Sequence, residues 1–557
     1  MKKTLTFITL SLLFHFLIAQ TTPHQYWIHL KDKNNSIYSI NKPNEYLSQR
    51  AIDRREKQHI PINMSDLPVN TAYINEIRSM GLEIIHPSKW FNTIAVSTND
   101  TAIIESLIKL NYVKNVIEIE KSKIDTSHSK FGIHLNIDDK IQAIESPPLS
   151  SDLLNYGFSF KQANQIGAVC MHNLGYQGQG ISIAVLDAGF LDVNVLPAFD
   201  SLRINNLILG TRDFVTGDTM VYEDFPHGMN VLSCMAANLP GNIVGTAPKA
   251  KYWLLRTEDA GSEGIIEEIN WLRAAEFADS VGVDIINSSL GYRNFDNSAD
   301  NHGYADLDGN TTIITKAADM VASKGIFVVS SAGNSGGPPW FKIVAPADAD
   351  SILTVGAVDS VGNIATFSSR GLTFDGRIKP NTVARGVQVV LAALGGGVVS
   401  SSGTSFSCPV TAGAVACLWQ ANPSASAMQL LNAIQQSASM FTSPDSISGY
   451  GIPNFCLANT ILTSIEQRKM HVTELIVYPN PFNNNLDIRF FSDKQQTINI
   501  TLYDIVGREI VSQEKKINTV GYTTINFLKT FMSSKGPYLL RLSTEDKTYF
   551  EKLINNN

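Results

Sequence analysis

The feature that most restricts the fold of this chain is a series of continuous apolar runs between residues 181 and 358. Strands buried on both faces of a parallel sheet have this composition, whereas half-exposed strands alternate apolar and polar residues. Amphipathic segments of helical length lie between the runs, for example "GIIEEINWLRAAEFADSVG". The pattern therefore predicts a doubly wound parallel α/β domain, which we place at residues 151–465. The five runs are "ISIAVLD" (181–187), "YWLLRT" (252–257), "DIINSSL" (284–290), "GIFVVSSA" (325–332) and "ILTVGAV" (352–358).

Residues 24–120 have a different pattern, in which short strand-like pieces alternate with helix-like pieces. They read as two units of strand, helix and strand, from "QYWIHL" to "VKNVIEIE". Two such units predict a small ferredoxin-like α+β sandwich. The region carries no cluster of His or Cys residues and no Gly-rich phosphate loop, so we expect its task to be something other than chemistry. Residues 121–150, which include "ESPPLSS", are predicted to form an exposed linker.

Residues 475–557 consist of short runs that alternate apolar and polar residues, such as "TINITLYD" and "PYLLRLST". A period of two is typical of strands with one face in a core, so this region is predicted to be a small antiparallel β-sandwich. Its charged residues occupy alternate positions and form no catalytic cluster.

The N-terminus predicts export. Lys2 and Lys3 precede the apolar run "LTFITLSLLFHFLIA", which ends at Ala19, and this is the pattern of a secretory signal peptide at residues 1–19. A membrane anchor is the alternative, although the run is short for a span. Export permits disulfides, but five cysteines leave at least one thiol unpaired. Their wide spacing matches neither a metal site nor a dense disulfide framework, so no pairing is assigned.

Charge excludes one class of partner. The 557 residues have a formal net charge of −7. A nucleic-acid-binding domain needs clustered Lys and Arg residues on a basic surface, and we therefore expect no nucleic-acid partner.

Four polar residues of the α/β domain stand where strands end or helices begin. Asp187 ends the first apolar run, Asn334 follows the fourth, and His227 and Ser405 each precede a run of small residues. Taken singly, each has an ordinary explanation as a turn or capping residue. Because ligands of open α/β sheets bind at the carboxyl ends of the strands, we expect the four side chains to meet at one edge.

Together these residue types supply the groups that nucleophilic attack on a carbonyl carbon requires: a nucleophile, a base, an acid that orients the base, and a donor to the oxyanion. A Ser hydroxyl becomes a strong nucleophile when a neighbouring imidazole takes its proton. A buried carboxylate holds that imidazole in the right tautomer and stabilises its protonated form. A side-chain amide and the backbone N–H of the nucleophile can stabilise the oxyanion, and a helix N-terminus adds partial positive charge there.

The order Asp, His, Asn, Ser in the segments "VLDAG", "HGMNV", "SSAGNSG" and "GTSFSCP" resembles the subtilisin-like serine proteases over residues 155–460. The resemblance implies that Asp187 orients His227, that His227 is the general base and acid, that Ser405 is the nucleophile, and that Asn334 is the oxyanion donor. It implies a subtilisin-like fold and a secreted endopeptidase that hydrolyses peptide bonds through an acyl-enzyme.

The segment "SSLG" is similar to the family strand that pairs with the substrate backbone and forms one wall of the S1 pocket. The resemblance thus implies a substrate-binding role for four residues, namely Ser288, Ser289, Leu290 and Gly291.

The sequence also departs from the family pattern. "HGMN" replaces the commoner "HGTH", and "SFSCP" replaces "SMAxP", which affects pocket shape and any calcium site but removes no catalytic atom. No metal ligand is assigned and no cofactor is expected to be required. The Asp-rich loop at residues 296–310 is a candidate calcium site, but capping of the following helix is the alternative, because Ala317 stands where an EF-hand would need an acid.

The flanking regions resemble parts of exported proteases. Residues 24–120 are similar to an inhibitory propeptide that is removed by self-cleavage, with an unrelated accessory domain as the alternative. The tail, with "YPNPF" and "GPYLLRL", resembles the type IX sorting domain of Bacteroidetes, with an adhesive or carbohydrate-binding sandwich as the alternative. The implied partners are protein or peptide substrates, the chain's own propeptide and the type IX machinery.

We therefore expect a monomer located outside the cell or attached to its surface. One rival hypothesis is a catalytically silent binding or adhesive protein that keeps the fold. A lipase or esterase is a weaker rival, because it would need a G-x-S-x-G elbow and the order Ser, acid, His, which this chain lacks around Ser405.

Overall fold

The structure is a computed structural model that describes residues 24–119, 152–473, 475–482, 485–492, 494–518, 521–528 and 535–556. The predicted signal peptide (1–19) and the whole of the predicted linker (121–150) lie outside these residues. The chain divides into two compact units, Met1–Asn459 and Thr460–Asn557, which are described separately.

The N-terminal region forms the ferredoxin-like sandwich that the sequence predicts. Its four strands make one antiparallel sheet in the order β2-β3-β1-β4, with Ile28, Ile94 and Val96 in its core. Ser48 and Asn70 cap the first two helices, since their side-chain oxygens accept backbone N–H groups of the first turn. The elements are β1 (His24–Leu30), α1 (Gln49–Lys57), α2 (Thr71–Ser79), β2 (Glu83–Ser88), β3 (Thr93–Thr98), α3 (Ile104–Ile108) and β4 (Val113–Ile119).

The following region contains a parallel sheet of seven strands in the order β13-β12-β11-β10-β5-β9-β6. All five predicted runs form strands of this sheet, and β5, β10, β11 and β12 are buried along their whole length. Its strands are β5 (Ser182–Asp187), β6 (Ile208–Asp213), β9 (Lys251–Arg256), β10 (Ile285–Ser288), β11 (Phe327–Ser331), β12 (Leu353–Val358) and β13 (Thr382–Arg385).

Two short antiparallel pairs accompany the sheet, β7 (Asn238–Leu239) with β8 (Ile243–Val244) and β14 (Val389–Ala392) with β15 (Val398–Ser401). Helices pack against the sheet, which confirms the α/β class. The helices of this region are α4 (Phe160–Gln165), α5 (Ala168–Asn173), α6 (Asp200–Ile204), α7 (His227–Ala236), α8 (Ile265–Val281), α9 (Ile313–Ser323), α10 (Thr404–Ala421) and α11 (Ala427–Gln436), and α12 (Phe455–Thr473) begins in the first unit and continues into the second.

Helix α10 is buried along most of its length because small residues allow close packing. A methyl group on Gly413 would overlap with the Thr246 side chain, so only glycine fits there. Cys170 and Cys456 form a disulfide between α5 and α12, a pairing that the sequence did not indicate. The remaining cysteines are buried free thiols, namely Cys234, Cys408 and Cys417.

The N-terminal sandwich packs on α8 through an unusually charged contact. Asp279, fully buried in α8, accepts hydrogen bonds from Arg54 at 2.6 Å, from Arg55 at 2.8 Å and from Lys89 at 2.8 Å. One turn earlier, the Glu276 carboxylate accepts the backbone N–H groups of Lys89 and of the next residue, both at 3.0 Å. One buried carboxylate therefore pairs with three cations of the N-terminal domain.

The C-terminal unit contains the predicted antiparallel strands, arranged in two sheets of order β16-β17-β20 and β19-β18-β21-β22. Inward-facing residues such as Ile488, Leu502 and Leu540 form a core of its own. Its strands are β16 (Leu475–Tyr478), β17 (Asn485–Ser492), β18 (Gln496–Tyr503), β19 (Glu509–Ile517), β20 (Gly521–Leu528), β21 (Gly536–Ser543) and β22 (Thr548–Asn555). Among the residues that the structure describes, no helix has both the length and the apolar character needed to cross a membrane.

Candidate active site

The structure places the four candidate residues at the carboxyl end of the parallel sheet. Asp187 is the last residue of β5, and Asn334 lies three residues beyond the end of β11. His227 begins α7, and Ser405 is the second residue of α10. Strand β10 pairs with both β5 and β11, so the loops after these three strands leave the sheet side by side.

Asp187 and His227 form a buried pair. The Asp187 Oδ1 and His227 Nδ1 atoms are 2.7 Å apart, and the two residues are 0% and 2% exposed. The backbone N–H of Ala188 donates to the same Oδ1 at 2.8 Å, which holds the carboxylate in place. A methyl group on Gly228 would lie 2.9 Å from Asp187 Cβ, so the glycine after the histidine lets α7 approach β5 closely.

Ser405 lies beside the segment that follows β10. Its hydroxyl donates to the carbonyl oxygen of Ser289 at 3.3 Å, and the Ser289 hydroxyl donates to the carbonyl oxygen of Ser405 at 2.9 Å. The ring of the next residue, Phe406, has its centroid 6.0 Å from that of His227. The turn that carries Ser405 is therefore packed between the histidine and the end of β10, and Ser405 itself is only half-buried.

The side-chain amide of Asn334 is oriented by the residue before Ser405. Asn334 Oδ1 accepts hydrogen bonds from the backbone N–H and from the hydroxyl of Thr404, both at 2.9 Å. Because a backbone N–H can only donate, it selects the amide oxygen and leaves the Nδ2 group as a donor on the other side. Asn334 is exposed, so this donor is accessible at the N-terminal end of α10.

The "SSLG" segment runs along the same edge, but two of its side chains are engaged inside the protein. Ser288 Oγ accepts the indole N–H of Trp271 at 3.0 Å, and Ser289 holds Ser405 as described above. Leu290 is buried, and its carbonyl oxygen accepts the Ser331 hydroxyl at 3.2 Å. Gly291 is exposed at the surface of the edge. The substrate-binding role of the four residues stays a prediction.

Two buried residues behind the site, Asn287 and Cys408, were not identified as site residues from the sequence. Asn287 Nδ2 donates to Ser289 Oγ at 3.2 Å, and its Oδ1 lies 3.3 Å from Cys408 Sγ. No sequence signal marks Asn287, because it stands inside an apolar strand. Burial raises the pKa of the Cys408 thiol, so this cysteine is no alternative nucleophile to Ser405.

Two carboxylates of the Asp-rich loop accept hydrogen bonds from backbone N–H groups within the loop. Asp306 accepts the N–H of Gly303 at 2.7 Å, and Asp308 accepts that of Asn310 at 2.8 Å. Within the described ranges, no group of three or more His, Cys, Asp or Glu side chains is placed to hold a metal ion.

Comparison with models of known protein families finds a match for three regions of the chain. Residues 178–451 match the model of the subtilase family, and residues 25–131 match the peptidase S8 propeptide domain of Bacteroidota. Residues 476–556 match the secretion system C-terminal sorting domain. This type IX sorting domain indicates secretion to the cell surface or the extracellular space, as the sequence predicted.

Characterised relatives cover the central region. Subtilisin BL of Lederbergia lenta is 30% identical over 292 residues, which are 52% of this chain and 95% of the relative. The alkaline protease of Shouchella clausii is 30% identical over 292 residues, 52% of this chain and 67% of the relative. Subtilisin E of Bacillus subtilis (strain 168) is 30% identical over 287 residues, 51% of this chain and 65% of the relative. With a matching fold, a matching family model and these relatives, the chain belongs to the subtilase family.

Proposed function

We propose that this protein is a serine endopeptidase that hydrolyses peptide bonds through an acyl-enzyme, and that it releases its own N-terminal domain. The observation that carries the proposal is the buried Asp187–His227 pair, whose imidazole lies against Phe406, the residue that follows Ser405. Peptide-bond hydrolysis needs a nucleophile, a base and an oriented acid in this arrangement.

In the first step, Ser405 Oγ attacks the carbonyl carbon of the scissile bond, and its proton passes to His227 Nε2. The Asp187 carboxylate accepts a hydrogen bond from Nδ1–H, with 2.7 Å between the nitrogen and the oxygen, so it holds the tautomer whose Nε2 is free of hydrogen and stabilises the imidazolium that forms. The carbonyl oxygen becomes an oxyanion, to which Asn334 Nδ2 and the Ser405 backbone N–H donate.

The tetrahedral species then collapses, and the C–N bond breaks as the imidazolium gives its proton to the leaving amine. Water attacks the acyl-enzyme in the same way, with His227 as the base and Ser405 as the leaving group. Each chemical role falls on a residue whose orientation is set by a hydrogen bond within the protein.

The N-terminal domain is the proposed intramolecular inhibitor, and its release is the proposed maturation step. It matches the propeptide model and is docked on α8 by the pairing of Asp279 with three cations. The same Ser405 would cut the chain between this domain and the α/β domain.

The test is the Ser405→Ala variant of the full chain. We expect peptide hydrolysis to fall on the order of 10⁶-fold, as it does when the nucleophile of a subtilisin is removed, and the precursor to stay uncut. The matched control is Ser402→Ala, which changes an exposed serine of the same loop and should leave both steps intact. Activity of purified Ser405→Ala would overturn the mechanism, and normal processing of that variant without another protease would overturn self-maturation.

A further inference from the structure

A cavity of about 360 Å³ lies between the N-terminal domain and the α/β domain. This volume is within the range of about 300–1,000 Å³ that small-molecule sites have. The N-terminal domain lines the cavity with residues of α2, of β2 and of its loops, and the α/β domain lines it with residues of β6 and α8 and with Phe214. Because both domains form its walls, the cavity exists only while the N-terminal domain is docked.

Two arginines of the α/β domain lie at the cavity wall. The guanidinium of Arg212, in β6, is 5.3 Å from the ring centroids of both Phe214 and Phe277. The guanidinium of Arg273, in α8, is 5.5 Å from the Phe214 centroid, and its Nη1 donates to two neutral oxygens, Phe214 O at 2.8 Å and Asn270 Oδ1 at 2.9 Å. The buried Arg273 Nε has no hydrogen-bond partner in the part of the chain that the structure describes.

The other ionisable groups at the wall are already paired or neutral. Lys89 donates to Asp279 at 2.8 Å. The Glu276 carboxylate accepts the Ser88 hydroxyl at 2.5 Å in addition to two backbone N–H groups. His86 lies 3.4 Å from Glu276, and burial lowers its pKa below 6.5, so its ring is neutral at neutral pH. The positive charges that lack a paired acid are therefore those of the two arginines.

The two guanidiniums repel each other across the Phe214 ring. Burial and the charge of Arg212 lower the pKa of Arg273 to about 10, which still leaves Arg273 protonated at neutral pH. Among the described residues, neither arginine forms an ion pair with a carboxylate. An anion between them would relieve the repulsion and could accept a hydrogen bond from Arg273 Nε.

We propose that this cavity binds an organic anion, with its carboxylate between Arg212 and Arg273 and an apolar body against the opposite wall. That wall is apolar because the N-terminal domain contributes Val69 and Ile74 to it, and Phe277 continues the apolar surface on α8. A planar carboxylate matches the geometry of a guanidinium, and burial of the apolar body adds affinity. Inorganic phosphate would pair with the arginines and leave the apolar wall uncovered.

The bound anion contacts both domains, so it connects to maturation. A ligand that binds the docked form and not the separated domains stabilises the docked form by mass action. Such an anion therefore slows the release of the N-terminal domain. This consequence for release rests on the proposed function, whereas binding to the uncut chain does not.

The experiment titrates octanoate into the uncut Ser405→Ala full chain by calorimetry, with octanamide and inorganic phosphate as comparison probes. We expect one octanoate site, with at least about 10-fold tighter binding than for either comparison probe, since a charged hydrogen bond is worth about that factor. Arg273→Gln and Arg212→Gln should each weaken octanoate binding by about 10-fold or more. Arg78→Gln, which changes an exposed arginine of α2, is the matched control and should leave the affinity unchanged.

The inference is overturned if octanoate does not bind, if octanamide binds equally well, or if both arginine variants keep the parent affinity. Phosphate binding as tight as octanoate binding would overturn the amphipathic class of the ligand. The octanamide comparison uses the unaltered cavity, so it decides the question even if an arginine variant fails to fold.

The effect on release is measured with the chain that carries Ser405. Octanoate should slow the separation of its N-terminal domain and leave hydrolysis of a peptide anilide by the matured enzyme unchanged. An unchanged rate of separation would overturn the link to maturation. A chain that never separates without octanoate would contradict the proposed function and leave the ligand site standing.

Discussion

Single residues of the site owe their orientation to neighbours that take no part in the chemistry. Thr404 donates twice to Asn334 Oδ1 and so turns the amide donor outward. Asn287 bonds the Ser289 hydroxyl, which in turn bonds the backbone of Ser405. Such paired contacts restrict rotamers before a substrate arrives, which is the condition for strong electrostatic stabilisation of a transition state.

The role of Asn334 can be tested by removing its donor. We expect Asn334→Ala to lower kcat by about 10²–10³-fold with little change in KM, which is the cost of one oxyanion donor in enzymes of this family. Steady-state kinetics on a peptide anilide measure both constants.

The change also leaves the Thr404 N–H without its acceptor, so the melting temperature should be recorded with the kinetics. Thr404→Val removes only the hydroxyl bond to Asn334 and is the matched control, with a smaller loss of kcat expected. A kcat equal to that of the parent in Asn334→Ala would show that the amide does not face the oxyanion.

At the scale of elements, helix α8 packs in the main core with one face and contacts the N-terminal domain with the other. One face contributes Trp271, Ala274 and Ala275 to the main apolar core. The other presents Glu276 and Asp279 to the N-terminal domain. Burial by itself would raise the pKa of Asp279, but Lys89, Arg55 and Arg54 together lower the pKa below its ordinary value of 3.8. The carboxylate therefore stays charged at neutral pH, and its contribution to docking is lost only as the pH falls below 3.8 toward that lower pKa.

Neutralising this carboxylate should loosen the N-terminal domain. Asp279→Asn leaves three buried cations without their common partner, and breaking a buried pair in this way costs about 3–5 kcal/mol. In the uncut Ser405→Ala background, we expect faster amide exchange in α1 and β3 and a lower melting temperature.

The control for Asp279→Asn is Asp53→Asn, which changes an exposed acid of α1. It should leave both measurements unchanged. Exchange rates in Asp279→Asn equal to those of the control would mean that apolar contacts, not the charged cluster, hold the domain.

At the scale of the whole molecule, the chain consists of two compact units, each with a core of its own. The disulfide between Cys170 and Cys456 joins α5 to the first turn of α12, and both cysteines lie in the first unit. Domains that bury their own cores retain stability when separated. The sorting domain is therefore expected to be dispensable for the chemistry and required for the location.

Deleting residues 475–557 tests this division. The matured protein should keep its melting temperature and peptidase activity nearly unchanged, since no candidate site residue lies in the deleted part. In the native host the truncated protein should stay in the cell envelope. Activity assays on each cell fraction measure the location, and full export of the truncated protein would overturn the sorting role of the tail.

The buried strands and the positions of the candidate site residues could be predicted from the sequence, because they depend on local patterns. The five apolar runs became strands, since burial on both faces requires apolar residues at consecutive positions. The candidates Asp187, His227, Asn334 and Ser405 stand at strand ends and helix starts, where the parallel topology alone brings residues to one edge. The edge strands β6 and β13 were missed because β6 is half-exposed and β13, "TVAR", has only two apolar residues in succession.

Other features were decided only by the tertiary structure, because they depend on contacts between distant parts of the chain. Cys170 and Cys456 are 286 residues apart, and Arg54 and Asp279 are 225 apart. No periodicity connects such pairs, since their contact is set by how the elements pack. Local patterns thus indicated the strands and the family, and packing decided how the candidate residues are arranged.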